Sequence, residues 1–211
     1  SFGDISTFSF HATKNFVGAQ SGALIINNNN LIKLADIVLD KGTDRKRFIQ
    51  FKSKELKTSI TKNRIYTWQN IGSEYRASEI SSAIVLEQIK RRNSIQNKRK
   101  EIWNKYIKAF KNIDPKYCSF LDFENKDIKH SFHLFPLILR SEKLANKVIS
   151  FLQKRKIFAT FHYIPLHTSP FGKKFLKRNQ KIPVTENIYK KIVRIPLHSN
   201  LTNNQVKHII K

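Results

Sequence analysis

Apolar residues fall into short runs near the start of the chain and into helical stripes further on. Residues 5–10, with Ile5, Thr7, Phe8 and Phe10, read as a buried strand leading into a loop from His11 to Phe16. Residues 22–27, Gly-Ala-Leu-Ile-Ile-Asn, read as a second strand. Asn30 stands where a helix cap is expected. Leu31, Leu34, Ala35, Val38 and Leu39 share one face of a helix over 31–41, and Gly42 supplies a left-handed stop. Strand, loop, strand and helix in that order are the grammar of an α/β domain. Residues 43–71 are polar and irregular, with aromatics at Phe48, Phe51, Tyr66 and Trp68. A connection of that length is usually functional or disordered.

Ser78 reads as the cap of a long helical stretch. Its stripe begins with Ile80, Ala83, Ile84, Glu87 and Ile89 and continues through Ile95, Ile102, Tyr106 and Phe110, with a bend near Asn93-Ser94. The texture changes beyond Asp114-Pro115. Residues 131–139 read as a strand in which Pro136 favours an edge or a bulge. There His130 and His133, an odd number apart, point to opposite sides. An amphipathic helix over 142–155, a strand over 157–163 and a loop rich in Pro, His and Ser follow. Thr185 is placed to cap a short helix, Val193–Ile195 form a short strand, and Thr202 with Gln205 makes a capping box for a final helix. Trp68 and Trp103 are read as packing residues.

Composition narrows the classes. The chain has 211 residues, 40% of them hydrophobic, so it can bury a sizeable core. No apolar run approaches the roughly 18 residues that would span a bilayer. The one cysteine, Cys118, excludes an internal disulfide, argues against a cysteine-based zinc site, and suits a reducing compartment such as the cytoplasm. There is no Met, and Ser1-Phe2-Gly3-Asp4 runs at once into strand-like sequence without a signal peptide, so residue 1 is expected to lie inside a larger protein. Lys+Arg is 40 against Asp+Glu 15, a formal charge of +25. The basic residues are spread along the whole length, and Lys, Ile and Asn are all abundant, as compositional drift would leave them. The denser groups Lys90-Arg91-Arg92 and Lys98-Arg99-Lys100 lie on the predicted helix and read as a solvated basic face. Neither a zinc-finger spacing nor an RNP-type aromatic motif is present, so nucleic-acid binding is not expected. His162 and His167 are five apart with no acidic cluster nearby, so no metal site is expected.

The segment Phe8-Ser9-Phe10-His11-Ala12-Thr13-Lys14-Asn15 carries the most chemistry. A lysine just past a strand, with a hydroxyl five residues earlier, suits covalent attachment of an aldehyde cofactor. Such attachment needs a neutral amine, which desolvation or a nearby cation favours. A serine on the same turn can donate to a phosphate. On spacing alone, an ordinary surface lysine is the commoner explanation.

Ser9-Phe10-His11-Ala12-Thr13-Lys14-Asn15 closely resembles the cofactor-lysine motif of the DegT/DnrJ/EryC1/StrS family of pyridoxal-phosphate-dependent nucleotide-sugar aminotransferases. Four more segments match in order: Gly22 to Asn27, Lys41-Gly42-Thr43-Asp44-Arg45, Tyr66 to Tyr75, and Phe161-His162-Tyr163-Ile164-Pro165-Leu166-His167. The resemblance implies a fold-type I α/β transferase. Residues 1–75 would complete a large cofactor domain, 76–115 would be connecting helices, and 116–211 a small α+β domain. Lys14 would bind pyridoxal 5'-phosphate covalently and serve as the proton-transfer base. Ser9 would hold the cofactor phosphate, and His11 would line the cofactor pocket. The loop from Gly72 to Arg76 would reach a neighbouring subunit's site in a homodimer, with Arg76 facing phosphate. His162, Tyr163 and His167 would border the sugar-nucleotide pocket. The implied reaction moves an amino group, with L-glutamate as donor, to C4 of a dTDP-4-keto-6-deoxyhexose for surface-polysaccharide synthesis. A UDP- or GDP-linked keto sugar is the alternative within the class. A non-catalytic remnant or basic binding protein on the same scaffold is the alternative outside it. Where the family often has Gly-Glu-Gly-Gly, this chain has Ala19-Gln20-Ser21-Gly22. The family's pyridine-nitrogen Asp, phosphate cup and stacking aromatic lie upstream of its lysine, so these 211 residues alone are expected to be inactive.

Overall fold

A computed structural model describes residues 3–45, 66–119, 128–175 and 181–211. The expected aromatics Phe48 and Phe51 lie outside the described residues. The chain divides into two compact units, Ser1–Arg92 and Asn93–Lys211. The connecting stretch expected over 76–115 is therefore shared between them.

In the first unit, β1 (Ile5–Ser9) and β2 (Gly22–Ile26) form an antiparallel ribbon in which Ile5 faces Ile26 and Ser9 faces Gly22. Ile5 and Leu24 stand on one face, Phe8 and Ile25 on the other, and all four are exposed, between 39% and 50%. The burial expected for the first of these strands is thus absent, because no described element covers either face. A 3₁₀ turn at Asn29–Leu31 leads into α1 (Ile32–Leu39). Asn28 caps the 3₁₀ turn, its side-chain oxygen accepting from the Asn30 amide, and α1 itself starts after Leu31 with no side-chain cap, so Asn30 is not its cap. Gly42 does take the expected left-handed conformation, with φ 76°, and it serves a second purpose. A Cβ on Gly42 would lie 1.8 Å from the Asn70 carbonyl, and one on Gly72 would lie 2.2 Å from the Gly42 nitrogen. These two glycines let the segment 69–75 run directly along the end of α1, where Ser73 and Tyr75 donate to the Val38 and Leu39 carbonyls.

Ser78 caps α2 (Glu79–Lys90) as expected, accepting from the Ser81 amide. The packing stripe is different. Ile80 is 76% exposed and Ile84 and Ile89 are also open, whereas Ser81, Val85 and Gln88 are half-buried. The reason is Gly18, where a Cβ would sit 2.1 Å from Val85 Cγ2. The missing side chain lets the loop after β1 press on that narrow stripe. Trp68 is 74% exposed and is no packing residue in this chain.

The helical run breaks at Arg91, close to the expected bend. Helix α3 (Arg92–Phe110) then buries Ile95, Arg99, Ile102, Trp103 and Tyr106, a single helical stripe. It covers an antiparallel sheet of β3 (Cys118–Ser119), β4 (Phe135–Leu139) and β5 (Ile192–Ile195), in the order β3-β4-β5. The alternation is regular: Phe135, Leu137, Leu139, Val193 and Ile195 face the core with Cys118. Trp103 and Tyr106 meet Phe135 edge-on, with ring centroids 5.5 and 5.0 Å apart. Ala145 from α4 (Glu142–Lys154) and Val206 and Ile209 from α6 (Asn203–Ile210) complete the core. The Thr202–Gln205 capping box forms as the sequence suggests.

Four expectations change here. Pro136 lies in the central strand, not at an edge. It is tolerated because the described β3 pairing reaches only Leu139 and Ile138, leaving Pro136 paired with Arg194 alone. The strand expected over 131–139 starts at Phe135. Before it Phe132 turns left-handed, with φ 50°, and His130 sits against Trp103 at 5.1 Å. Residues 157–163 form no strand. Thr160 alone exchanges two backbone bonds with Arg194, while Ile157 and Ala159 are buried. Helix α5 (Pro183–Ile188) is entered through Ile182 with proline at its first turn, so Thr185 lies inside it rather than at its cap.

Arg99 departs furthest from expectation. It belongs to a run read as a solvated basic face, yet it is 5% exposed. Its Nε donates to the Phe132 carbonyl at 2.9 Å, and Nη2 donates to those of His133 at 2.7 Å and Leu197 at 3.1 Å. Burial pulls its pKa down to about 10, which still leaves it charged. Two turns further on, the buried Tyr106 hydroxyl donates to the Pro196 carbonyl at 2.8 Å. Side chains of α3 thus hold the entry to β4 and the exit from β5.

Burial lowers the pKa values of His130, His162 and His198 below the ordinary 6.5, with the charges of Arg194 and Arg99 adding to the effect at His162 and His198. Below pH 6.5 the unfolded chain takes up protons that these folded imidazoles refuse, so stability falls as pH falls. Above 6.5 all three are neutral in both states. The urea midpoint of this unit is expected to be lower at pH 5.5 than at pH 7.5, followed by tryptophan fluorescence; an unchanged midpoint would contradict the assignment.

Candidate active site

The side chains singled out in the sequence fall into two groups, one in each unit. In the first unit the loop between β1 and β2 is closed at its base. Phe10 donates to the Ser21 carbonyl at 2.9 Å, and Gly18 donates to that of Phe10 at 2.8 Å. Within it, the Lys14 amide donates to the His11 carbonyl at 2.9 Å, making a tight turn over 11–14. His11 Nδ1 is 3.2 Å from the Thr13 hydroxyl, which fixes the imidazole across the turn. Thr13 was not singled out by sequence reasoning. Ser9 accepts from the His11 amide at 3.5 Å, so its own proton remains free to donate. Ser9, His11 and Lys14 are exposed and share this one loop, and Lys14 Nζ has no partner among the described residues. Ala19 takes the left-handed conformation, with φ 58°, a backbone that glycine adopts without steric cost.

Arg76 is engaged elsewhere. Its Nη2 is 2.8 Å from the Oδ2 of Asp40, a carboxylate only 4% exposed at the end of α1. Lys41 pairs with Glu74 beside it; that hydrogen bond raises the Lys41 pKa and lowers that of Glu74. The loop from Gly72 to Arg76 is thus fastened to α1 by charge as well as by backbone. A partner for Asp40 was not foreseen, because 36 residues separate the two.

In the second unit, the Thr160–Arg194 bridge brings the segment 161–167 beside β5. The His162 and Tyr163 rings are 4.7 Å apart, and the Arg194 guanidinium lies 5.0 Å from the Tyr163 centroid. His162 Nδ1 is enclosed and has no hydrogen-bond partner among the described residues. Burial and the neighbouring Arg194 charge keep this imidazole neutral at neutral pH. His167 is apart from this group. It lies in a 3₁₀ turn, Leu166–Thr168, with Nε2 3.3 Å from Glu186. The Ile182 amide, and secondarily His167, hold the Glu186 carboxylate below its usual range. Arg194 was missed by sequence reasoning. The available signal was its place between Val193 and Ile195, an arginine on the outer face of a core strand.

Among the described residues no group of three or more His, Cys, Asp or Glu is placed to hold a metal, and no helix is long and apolar enough to cross a membrane. The donor set around Lys14 does fit pyridoxal phosphate: a free primary amine for its aldehyde, and a serine hydroxyl with a proton to give to its phosphate.

Comparison with known proteins agrees. The chain is 29% identical over 206 residues to the UDP-4-amino-4,6-dideoxy-N-acetyl-beta-L-altrosamine transaminase of Helicobacter pylori, covering 97% of this chain and 50% of that protein. It is 26% identical over 208 residues to the GDP-perosamine synthase of Escherichia coli O157:H7, covering 99% and 50%. Among solved structures, PseC of Helicobacter pylori, an aminotransferase involved in the biosynthesis of pseudoaminic acid, matches with a TM-score of 0.78 at 26% identity over 99% of this chain and 52% of that one. The chain spans about half the length of the curated relatives it matches. Its fold is that of the corresponding part of a fold-type I, pyridoxal-phosphate-dependent transferase. A family model for the DegT/DnrJ/EryC1/StrS aminotransferases matches residues 1–211, from the lysine turn through the loop at His162, and the chain belongs to that family.

Proposed function

We propose that this protein takes part in pyridoxal-phosphate-dependent transamination of a nucleotide-linked keto sugar, with L-glutamate as the donor, in a cytoplasmic homodimer. The observation that carries the reading is the free Lys14 amine on a closed turn beside Ser9 and His11, within a chain matched along its whole length by the family. The cofactor, when bound, supplies an electron sink for carbanion chemistry. Lys14 Nζ would attach it and would move the proton between Cα of the amino donor and C4′ of the cofactor. Ser9 Oγ would donate to its phosphate, and His11, held across the turn by Thr13, would border the ring. The assignment of Arg76 to phosphate is retained only for the nitrogens not committed to Asp40. His162 and Tyr163 would border the sugar nucleotide, with His167 placed by Glu186.

The five-segment match favours a dTDP-4-keto-6-deoxyhexose aminated at C4, the reaction type that yields dTDP-4-amino-4,6-dideoxygalactose for surface polysaccharide. UDP- and GDP-linked sugars form a second reading, which the functions of the two named relatives favour. The test supplies pyridoxal phosphate, L-glutamate and dTDP-, UDP- or GDP-linked 4-keto-6-deoxy sugars in parallel. The protein is assayed alone and with the N-terminal half of the Helicobacter pylori relative added. Amino-sugar formation from the dTDP substrate is expected in the supplemented reaction. Preference for a UDP or GDP sugar would replace the first reading by the second.

A further inference from the structure

Arg194 stands on the face of β5 turned away from the core, and its surroundings leave half of it unused. Its Nε donates to the Phe161 carbonyl at 3.2 Å, and its flat face lies against Tyr163. Its backbone is pinned by Thr160, with which it exchanges two hydrogen bonds, and it stands opposite Pro136 of β4. Among the described residues its terminal nitrogens have no hydrogen-bond or ion-pair partner, and no carboxylate lies within ion-pair distance of them. A guanidinium held at Nε and across one face presents its remaining donors as a fixed fork, the geometry that receives a phosphate or carboxylate at two points.

The neighbours decide between those two ligands. Tyr163 is 58% exposed, Phe161 48% and Ile164 60%, so planar and apolar surface is open along the same segment. The adjacent His162 is neutral and adds no second positive charge. One fixed cation beside open aromatic surface suits a ligand that joins phosphate to a flat base, and it offers nothing to the short polar chain of an amino acid.

We propose that Arg194, braced by the Phe161 carbonyl and the Tyr163 ring, is the residue that binds a phosphoryl oxygen of the nucleoside diphosphate carried by the sugar substrate. The inference rests on the nucleotide-sugar reading above, and it assigns the diphosphate to β5.

The test titrates the protein with UDP, GDP and dTDP by calorimetry, with L-glutamate as a separate arm. Arg194→Gln is expected to weaken binding of the preferred nucleotide by about tenfold or more, the loss of a charge-assisted hydrogen bond. Arg194→Lys keeps the charge without the fork and is expected to fall between the two. Thermal melting checks that both variants remain folded. In the unsubstituted protein, nucleotide binding is expected to raise the His162 titration midpoint seen by NMR, because bound phosphate offsets the Arg194 charge. Equal nucleotide affinity in folded Arg194→Gln would overturn the proposal. So would L-glutamate binding that depends on Arg194, or absence of nucleotide binding altogether. Borohydride trapping of pyridoxal phosphate on Lys14, in the other unit, tests the aminotransferase reading independently of these outcomes.

Discussion

Arg99→Ala is expected to destabilise the second unit by about 2–3 kcal/mol, because one buried and two half-buried carbonyls lose a charged donor at roughly 1 kcal/mol each. Folded domains commonly hold only about 5–15 kcal/mol in total, so the loss is large. The acceptors Phe132, His133 and Leu197 belong to two segments, the entry to β4 and the exit from β5, which this one side chain ties together. Phe132 adds to the effect, because its left-handed backbone is held by the bond from Arg99 Nε. Arg99→Met separates packing from hydrogen bonding: it keeps most of the buried stem and removes every donor. It is expected to cost nearly as much as alanine, and lysine to recover only part, since one ammonium cannot reach all three oxygens. Urea unfolding at pH 7.5 measures the series. A methionine variant as stable as the original would mean that the carbonyls find other donors.

Lys14→Ala is expected to abolish covalent capture of pyridoxal phosphate. No other amine shares the closed turn with the Ser9 hydroxyl and the His11 imidazole. Loss of a positioned proton-transfer group alone costs about 10²–10⁴-fold in rate. Here the attachment point is lost with it, so turnover in the supplemented assay should fall at least that far. Borohydride reduction followed by peptide mapping is the direct measurement. The label should lie on Lys14 in the unsubstituted protein and vanish in the variant. Label on another lysine would refute the assignment whatever happened to the rate.

Much of this was legible in the sequence where the signal is local. The Thr202–Gln205 box, the Ser78 cap and the left-handed Gly42 depend on residues within one turn of each other, and each forms. The α3 stripe through Ile102 and Tyr106 is helical periodicity and also forms. The lysine turn was readable because its motif is contiguous. The failures share a cause in distance along the chain. Arg99 sits in a Lys-Arg-Lys run that resembles a solvated face, and its burial depends on carbonyls 33, 34 and 98 residues away. Asp40 and Arg76 meet across 36 residues. Arg194 becomes a candidate only once Thr160 is seen to bridge it. The run 157–163 has strand composition, but only Thr160 reaches a neighbour to pair with.

The ribbon of β1 and β2 carries one more consequence. In most sheets a one-residue slip is forbidden because it would turn the buried side chains outward. Here apolar residues occupy both faces, so side-chain pattern alone does not prevent slippage. The register is instead set by bonds at the two ends of the ribbon. The Asn27 amide and side chain donate to the carbonyls of Asp4 and Gly3, and Phe10, Gly18 and Ser21 close the other end. That second clamp is also the base of the lysine loop. The contacts that keep the strands in step therefore also set the length of chain between Ser9 and Ser21, and with it where Lys14 stands relative to the serine it works beside.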